Sequence, residues 1–159
     1  MERQRHRQEA PTHRSHRMAV YTIMVSLAVK DGANTLVLTP TFCEVDLDQN
    51  NSSRIVWVLD DGGTDAHFVL RSGRHGILFD WEDKPGKDVF GTFDVDSGEK
   101  TISTQDNHSG AGKFGRWRYK LRVKQGATIY TTPSVTGGGK KIGETDPGDR
   151  GDHPIIINR

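Results

Sequence analysis

An unbroken alternation of cationic and apolar side chains over residues 116–124 constrains the fold more than any other feature of the chain. The segment reads Arg-Trp-Arg-Tyr-Lys-Leu-Arg-Val-Lys. Because successive side chains of a strand point to opposite faces, this period of two predicts a half-buried β-strand. A helix would spread the charges around its whole circumference. We predict that Trp117, Tyr119, Leu121 and Val123 enter the core, whereas Arg116, Arg118, Lys120, Arg122 and Lys124 (the cationic row) line the outer face.

Short runs of alternating or β-branched residues, separated by turn residues, continue along the rest of the chain. Asp96-Ser97-Gly98-Glu99 is typical of a hairpin turn, and Pro40 favours an edge or a switch between sheets at the end of the second run. No segment requires a helix of more than one turn. The pattern predicts an all-β fold, namely an antiparallel Greek-key β-sandwich of the immunoglobulin-like or cupredoxin-like kind, with seven to nine strands.

Length and composition fit one domain with a modest core. The 159 residues include 18 Gly, the hydrophobic fraction is 33% and the net charge is +1. We predict a basic, flexible tail over 1–17, a single sandwich domain over 18–159, and a Gly-rich loop over 133–152. Cys43 is the only cysteine, which excludes an intrachain disulfide. No apolar run approaches the roughly 18 residues of a membrane span, so no membrane partner is expected.

Residues 18–29 can be interpreted in two ways. They follow a basic stretch and imitate a secretory signal, with Ser26-Leu27-Ala28 as a cleavage site. Their alternation, however, is that of a first strand, which we favour. The expected location is therefore cytoplasmic, with secretion or a periplasmic location as the alternative if 1–28 is a signal peptide. Met18 is also an alternative start of the chain.

The order of the predicted strands resembles the immunoglobulin-like and cupredoxin-like sandwiches over about residues 20–125. A blue-copper site is not expected, because no Cys-His-Met cluster follows Tyr119. More narrowly, Asp106-Asn107, the Trp-Arg-Tyr-Lys-Leu strand, Asp146-Pro147 and Ile156-Ile157-Asn158 resemble a group of uncharacterised bacterial proteins, the DP-EP family. The Gly-rich insert separates the last two motifs, and the Glu-Pro half is missing. This resemblance implies the sandwich fold and no activity.

The cationic row has three interpretations. A charge ladder would pair it with acidic faces on neighbouring strands: Glu44, Asp46 and Asp48, or Asp94 and Asp96. Alternatively, the row is a partner-binding surface for a protein, a second copy or another ligand. Nucleic acid is the less expected partner, because proteins that bind single strands stack bases on aromatic rings beside the cations, and here the rings are predicted to point inward.

Loops rich in Asp and His supply weak metal-ligand candidates: Asp60, Asp61, Asp65, His67 and His108. Carboxylates and imidazoles suit cations such as calcium and zinc, but the spacing matches neither a calcium loop nor a zinc pair. No nucleophile motif is present, and Cys43 is predicted to be a buried thiol. We therefore expect no cofactor and no catalytic residue.

The sequence predicts a non-catalytic sandwich that acts as a binding or assembly module. Two alternatives stay open: a metal-dependent or hydrolytic activity on the Asp/His-rich loops, and nucleic-acid binding through the Arg-rich tail and the cationic row.

Overall fold

The computed structural model of the chain describes residues 18–47, 52–60, 63–71, 75–80, 84–109, 112–133 and 154–159. Every regular element in these ranges is a β-strand, which confirms the all-β class. The strands are β1 (Ala19–Lys30), β2 (Ala33–Thr39), β3 (Phe42–Val45), β4 (Ser53–Asp60), β5 (His67–Phe68), β6 (Leu78–Phe79), β7 (Phe90–Val95), β8 (Thr101–Asp106), β9 (Gly115–Lys120), β10 (Arg122–Gln125), β11 (Thr128–Thr131) and β12 (Ile155–Asn158). The predicted number of seven to nine strands was too low, because the two-residue strands β5 and β6 have no visible alternation and because the alternating segment 116–124 forms two strands.

The strands form two sheets. The larger sheet has the order β5-β10-β11-β2-β1-β4-β8-β7, and the smaller has the order β3-β12-β9-β6. Three pairs are parallel, namely β1 with β4, β2 with β11 and β3 with β12. The prediction of a purely antiparallel fold was therefore wrong. Alternation within a strand reports which face is buried, and it carries no information on the direction of the neighbouring strand.

Two of the positions where the chain passes from one sheet to the other bear on the sequence predictions. Pro40, after a cis peptide bond with Thr39, lies between β2 of the larger sheet and β3 of the smaller, as predicted. The other position falls inside the alternating segment 116–124, where the sequence shows no sign of a break. Leu121 divides it into β9 of the smaller sheet and β10 of the larger, so the single strand predicted there was wrong.

The side-chain directions predicted for that segment are confirmed. Trp117 and Tyr119 are 5% and 2% exposed, and Leu121 and Val123 are buried as well. Across the core, the ring of Trp117 packs edge-to-face on Phe90 of β7, with 5.3 Å between the ring centroids. Both sheets contribute to one hydrophobic core, whose largest fully buried side chains are Trp57, Tyr119, Phe68, Ile23, Ile55, Ile102, Leu121 and Ile156.

Candidate binding surfaces

The cationic row is divided between the two sheets. Arg116, Arg118 and Lys120 lie on the outer face of the smaller sheet, whereas Arg122 and Lys124 belong to β10 of the larger. All are exposed except Arg118, which is half-buried. Trp117 and Tyr119 face the core, as predicted, so neither ring is available for base stacking beside these cations.

The acidic partner of the row is Asp80, which follows β6. Its carboxylate lies 3.5 Å from Lys120 Nζ and 4.0 Å from Arg118 Nε. The predicted ladder with Glu44 and Asp46 was wrong, because β12 lies between β3 and β9 and places Ile157 opposite both Arg116 and Glu44. Strand order, which the sequence does not report, decides this.

Glu44 and Asp46 instead pair with Arg159, at 2.9 Å and 3.3 Å. Asp48 lies outside the described residues. Arg122 and Lys124 form no ion pair with the described part of the chain.

The predicted metal-ligand candidates are not brought together. Asp60 ends β4, whereas Ser53 at its start pairs with Asp106, two residues before His108. At about 3.3 Å per residue, these ends of β4 are roughly 23 Å apart. Asp65 and His67 are neighbours, and Nδ1 of His67 lies 3.1 Å from the Asp65 carbonyl oxygen. Asp61 lies outside the described residues, among which no group of three or more His, Cys, Asp or Glu could hold a metal ion.

A buried polar cluster lies where the two sheets meet, beside the start of β4. Asp106 is fully buried, and Asn158 of β12 and His108 are at most 5% exposed. The backbone N–H of His108 donates a hydrogen bond to Asp106 Oδ1 over 3.2 Å, and the φ angle of His108 is 51°. Burial raises the pKa of Asp106. The neighbouring Asn158 and His108 lower the pKa and so oppose this rise. Asp106 Oδ2 and the Asn158 amide have no hydrogen-bond partner among the described residues.

Cys43 lies close enough to this cluster to be affected by the Asp106 charge. The thiol is 3% exposed, and burial, assisted by Asp106, raises its pKa to about 12. A nucleophilic cysteine requires a lowered pKa and access to substrate. The predicted assignment of Cys43 as a buried residue is confirmed by its 3% exposure.

Among the described residues, strand β7 forms one edge of the larger sheet and pairs with β8 alone. The Asp96 N–H, just after β7, donates to the Thr101 carbonyl at 3.1 Å. Since backbone groups of an antiparallel strand alternate in direction, those of Asp94 also point toward β8. The N–H and C=O groups of Phe93 and Val95 therefore point away from the sheet.

A cleft of about 590 Å³ is lined by residues 91–95 of this edge strand and by Leu70 and His75. The His75 ring stacks on Phe93, with 3.9 Å between the centroids and 19° between the planes. Asp94 lines the cleft, is exposed, and makes no ion pair within the described ranges. We call this region, lined by Leu70, His75 and residues 91–95, the edge cleft.

Sequence reasoning missed both the buried cluster and the edge cleft. The alternation of Ile102, Thr104 and Asp106 along one face of a predicted strand was a usable signal, and it would have placed the Asp106 carboxylate in the core. No comparable signal identifies β7 as an edge, because edge status depends on the order of distant strands.

Comparisons of the chain with protein-family models, curated proteins and solved structures find no match. No helix of the described residues is long and apolar enough to cross a membrane.

Proposed function

We propose that this protein is a non-catalytic binding module that takes up an extended peptide segment along β7. The observation that carries the proposal is the edge cleft, where outward-pointing backbone groups of a strand border a recess about 590 Å³ in volume. A peptide that pairs with a free edge gains main-chain hydrogen bonds, and the neighbouring recess selects its side chains. The DP-EP resemblance stays a prediction and adds no activity to this proposal.

Phe93 and Val95 supply the hydrogen-bonding groups. Each presents one N–H and one C=O on the side away from β8, so an added strand can form up to about four main-chain hydrogen bonds along this edge. At the other end of β7, the pairing with β8 is irregular between Phe90 and Phe93. There the Thr104 hydroxyl donates toward the carbonyls of Gly91 and Thr92, at 3.2 Å and 3.3 Å. Regular strand addition is therefore expected over residues 93–95.

The wall of the cleft favours particular side chains on the peptide. His75, stacked on Phe93, and Leu70 supply an aromatic and an aliphatic side chain to this wall. The Asp94 carboxylate favours a cation at the facing position of the added strand, because opposite charges across a strand pair contribute about 0.2–1 kcal/mol. The expected ligand is an extended segment with apolar residues and one Lys or Arg.

Selection from a phage-displayed library of random peptides tests this proposal, followed by amide hydrogen exchange of the complex. In the free protein the Phe93 and Val95 amides should exchange rapidly, whereas the Asp94 amide, bonded to β8, should be protected. Selected peptides should protect Phe93 and Val95. Failure to select any peptide, or protection confined to other strands, would contradict the proposal.

A pair of variants at one position separates backbone pairing from side-chain contact. Val95→Pro removes the outward N–H without removing a bond to β8, so it should weaken binding of a selected peptide at least about tenfold. Val95→Ala loses side-chain packing but keeps the N–H, so it should bind within about threefold of wild type. Equal binding of the peptide by both variants would contradict strand addition as the mode of recognition.

A further inference from the structure

The outer face of the larger sheet presents a second, independent surface. Its centre consists of side chains on β2, β1, β4 and β8 that the strand registers place side by side. Val58 lies between Met24 and Thr101, and Val56 lies between Thr22 and Ser103. Val20 and Val37 on the same face are 57% and 47% exposed. The centre of this face is therefore uncharged, with Val56, Val58 and Met24 flanked by hydroxyl side chains, and a partly exposed apolar cluster of this kind is a candidate interaction surface.

Two opposite charges bracket this area on a single strand. The outward residues of β4 are Arg54, Val56, Val58 and Asp60, in that order. Arg54 and Asp60 are separated by about 20 Å along the strand, at about 3.3 Å per residue. The Arg54 guanidinium is held flat on the sheet, since its Nη2 donates to Ser103 Oγ at 2.8 Å. Asp60 is exposed and makes no ion pair with any described residue.

We infer that this face binds a second copy of the same chain, with the two β4 strands antiparallel across a two-fold axis. The axis passes between Val56 and Val58. In this arrangement each Arg54 faces the Asp60 of the other copy, and the valines of the two strands meet at the centre. A two-fold interface must be self-complementary, because if one residue contacts a second residue of the partner copy, that same second residue in the first copy also contacts the first residue of the partner.

The strand β4 meets this requirement within its own sequence. When two copies of the strand lie antiparallel across the axis, the opposite charges at its two ends form two identical ion pairs. The uncharged residues in the middle of one copy then contact the same residues of the other copy. Face-to-face packing of sheets in roughly aligned directions is a common arrangement, with about 10 Å between the sheets. A parallel arrangement would place like charges together at both ends and is excluded by repulsion.

Charge-reversal variants test this arrangement through the mass of the full chain in solution by sedimentation. The wild type should reach twice its 17.7 kDa at high micromolar concentration. Arg54→Asp and Asp60→Arg should each weaken the homodimer at least about tenfold, because each places like charges opposite one another twice. Arg116→Asp on the smaller sheet is the matched control and should leave the dimer unchanged.

Mixing provides the decisive measurement. In a mixture of Arg54→Asp with Asp60→Arg, every facing pair is again of opposite sign, so the two variants should form a heterodimer. The double variant R54D/D60R should form a homodimer again. Rescue on mixing also proves that each single variant is folded.

Three results would overturn the inference: a wild type that stays monomeric, a dimer that both single variants leave intact, or single variants that stay monomeric when mixed. A face used by a different protein would give the first of these. The outcome is independent of the edge cleft, because none of these substitutions lies on β7.

Discussion

The indole Nε1–H of Trp57 donates a hydrogen bond to the hydroxyl oxygen of Tyr119, with 3.0 Å between the two atoms. The rings meet edge-to-face, and their centroids are 5.7 Å apart. Trp57 belongs to β4 of the larger sheet and Tyr119 to β9 of the smaller, and neither side chain is reached by solvent to any significant extent. This bond therefore fixes one sheet against the other inside the core.

Replacing Tyr119 by Phe should lower the free energy of unfolding by about 1–3 kcal/mol, because the buried Trp57 N–H loses its acceptor. Urea denaturation measures this change. Tyr130→Phe is the control, since the Tyr130 hydroxyl has no hydrogen bond to the described residues, and its effect should stay within about 0.5 kcal/mol. Similar losses in the two variants would show that the bond does not connect the sheets energetically.

Gly115 is required by the indole of Trp117. A Cβ at this position would lie 2.9 Å from Cζ2 of that ring, which is closer than carbon atoms approach in folded proteins. Gly115→Ala should therefore cost about 1–3 kcal/mol in a thermal or urea denaturation experiment. Gly91→Ala, whose Cβ would meet only ordinary contacts at 3.5 Å or more, should cost less than a third of that.

Asp106 should make stability depend on pH in an unusual direction. Burial raises its pKa in the folded state above the 3.8 of the free side chain, so the folded state holds its proton more tightly than the unfolded state does. This contribution is fully present below pH 3.8 and is lost as the pH rises through the folded-state pKa, at up to about 1.4 kcal/mol per pH unit.

Asp106→Asn keeps an oxygen for the His108 N–H and removes the titration. Urea denaturation of both proteins from pH 3.5 to 8 should show the difference in unfolding free energy, variant minus wild type, increasing with pH. A constant difference across this range would contradict the assignment.

The Cys43 thiol should be inert in the native protein. With a pKa of about 12, it is almost wholly protonated at pH 8, and its burial blocks access by reagents. An aromatic disulfide reagent that releases a coloured thiolate should detect no reactive thiol in the native protein and one thiol per chain in strong denaturant. Reaction at the same rate in both conditions would show that the thiol is accessible.

The ion pairs of Asp80 should contribute little to stability. Lys120 is 49% exposed, and the distances of 3.5 Å and 4.0 Å are long for ion pairs. Asp80→Asn should change the free energy of unfolding by less than about 1 kcal/mol, and this small effect should disappear in high salt. A loss of several kcal/mol would show that Asp80 anchors β6 to β9.

Local periodicity was enough to predict which residues enter the core. Trp117, Tyr119, Leu121 and Val123 are buried because alternation is a property of each strand alone. The break at Leu121 could not be predicted, since the sheet to which each half belongs depends on partners such as Ile155 and Phe68, far away in the chain. The hairpin turn at 96–99 was predictable because its residues determine the turn by themselves.

The candidate sites were less predictable than the fold. Asp60 and His108 are both candidate metal ligands in the sequence. In the structure Asp60 ends β4, whereas His108 lies beside the start of this strand. Asp106 was overlooked as a core residue, because a carboxylate is expected to face water unless its position in the strand is followed strictly. The edge at β7 and the face around Val56 exist only once the eight strands are ordered.

The position of β12 between β3 and β9 has a consequence for folding kinetics. Ile155 must find Phe42 across most of the length of the chain, and until it does, the smaller sheet lacks its central member. Closing such a long loop is slow. During that delay β3 and β9 are two unsatisfied edges in the same nascent molecule, so refolding should be slow and sensitive to aggregation at high protein concentration.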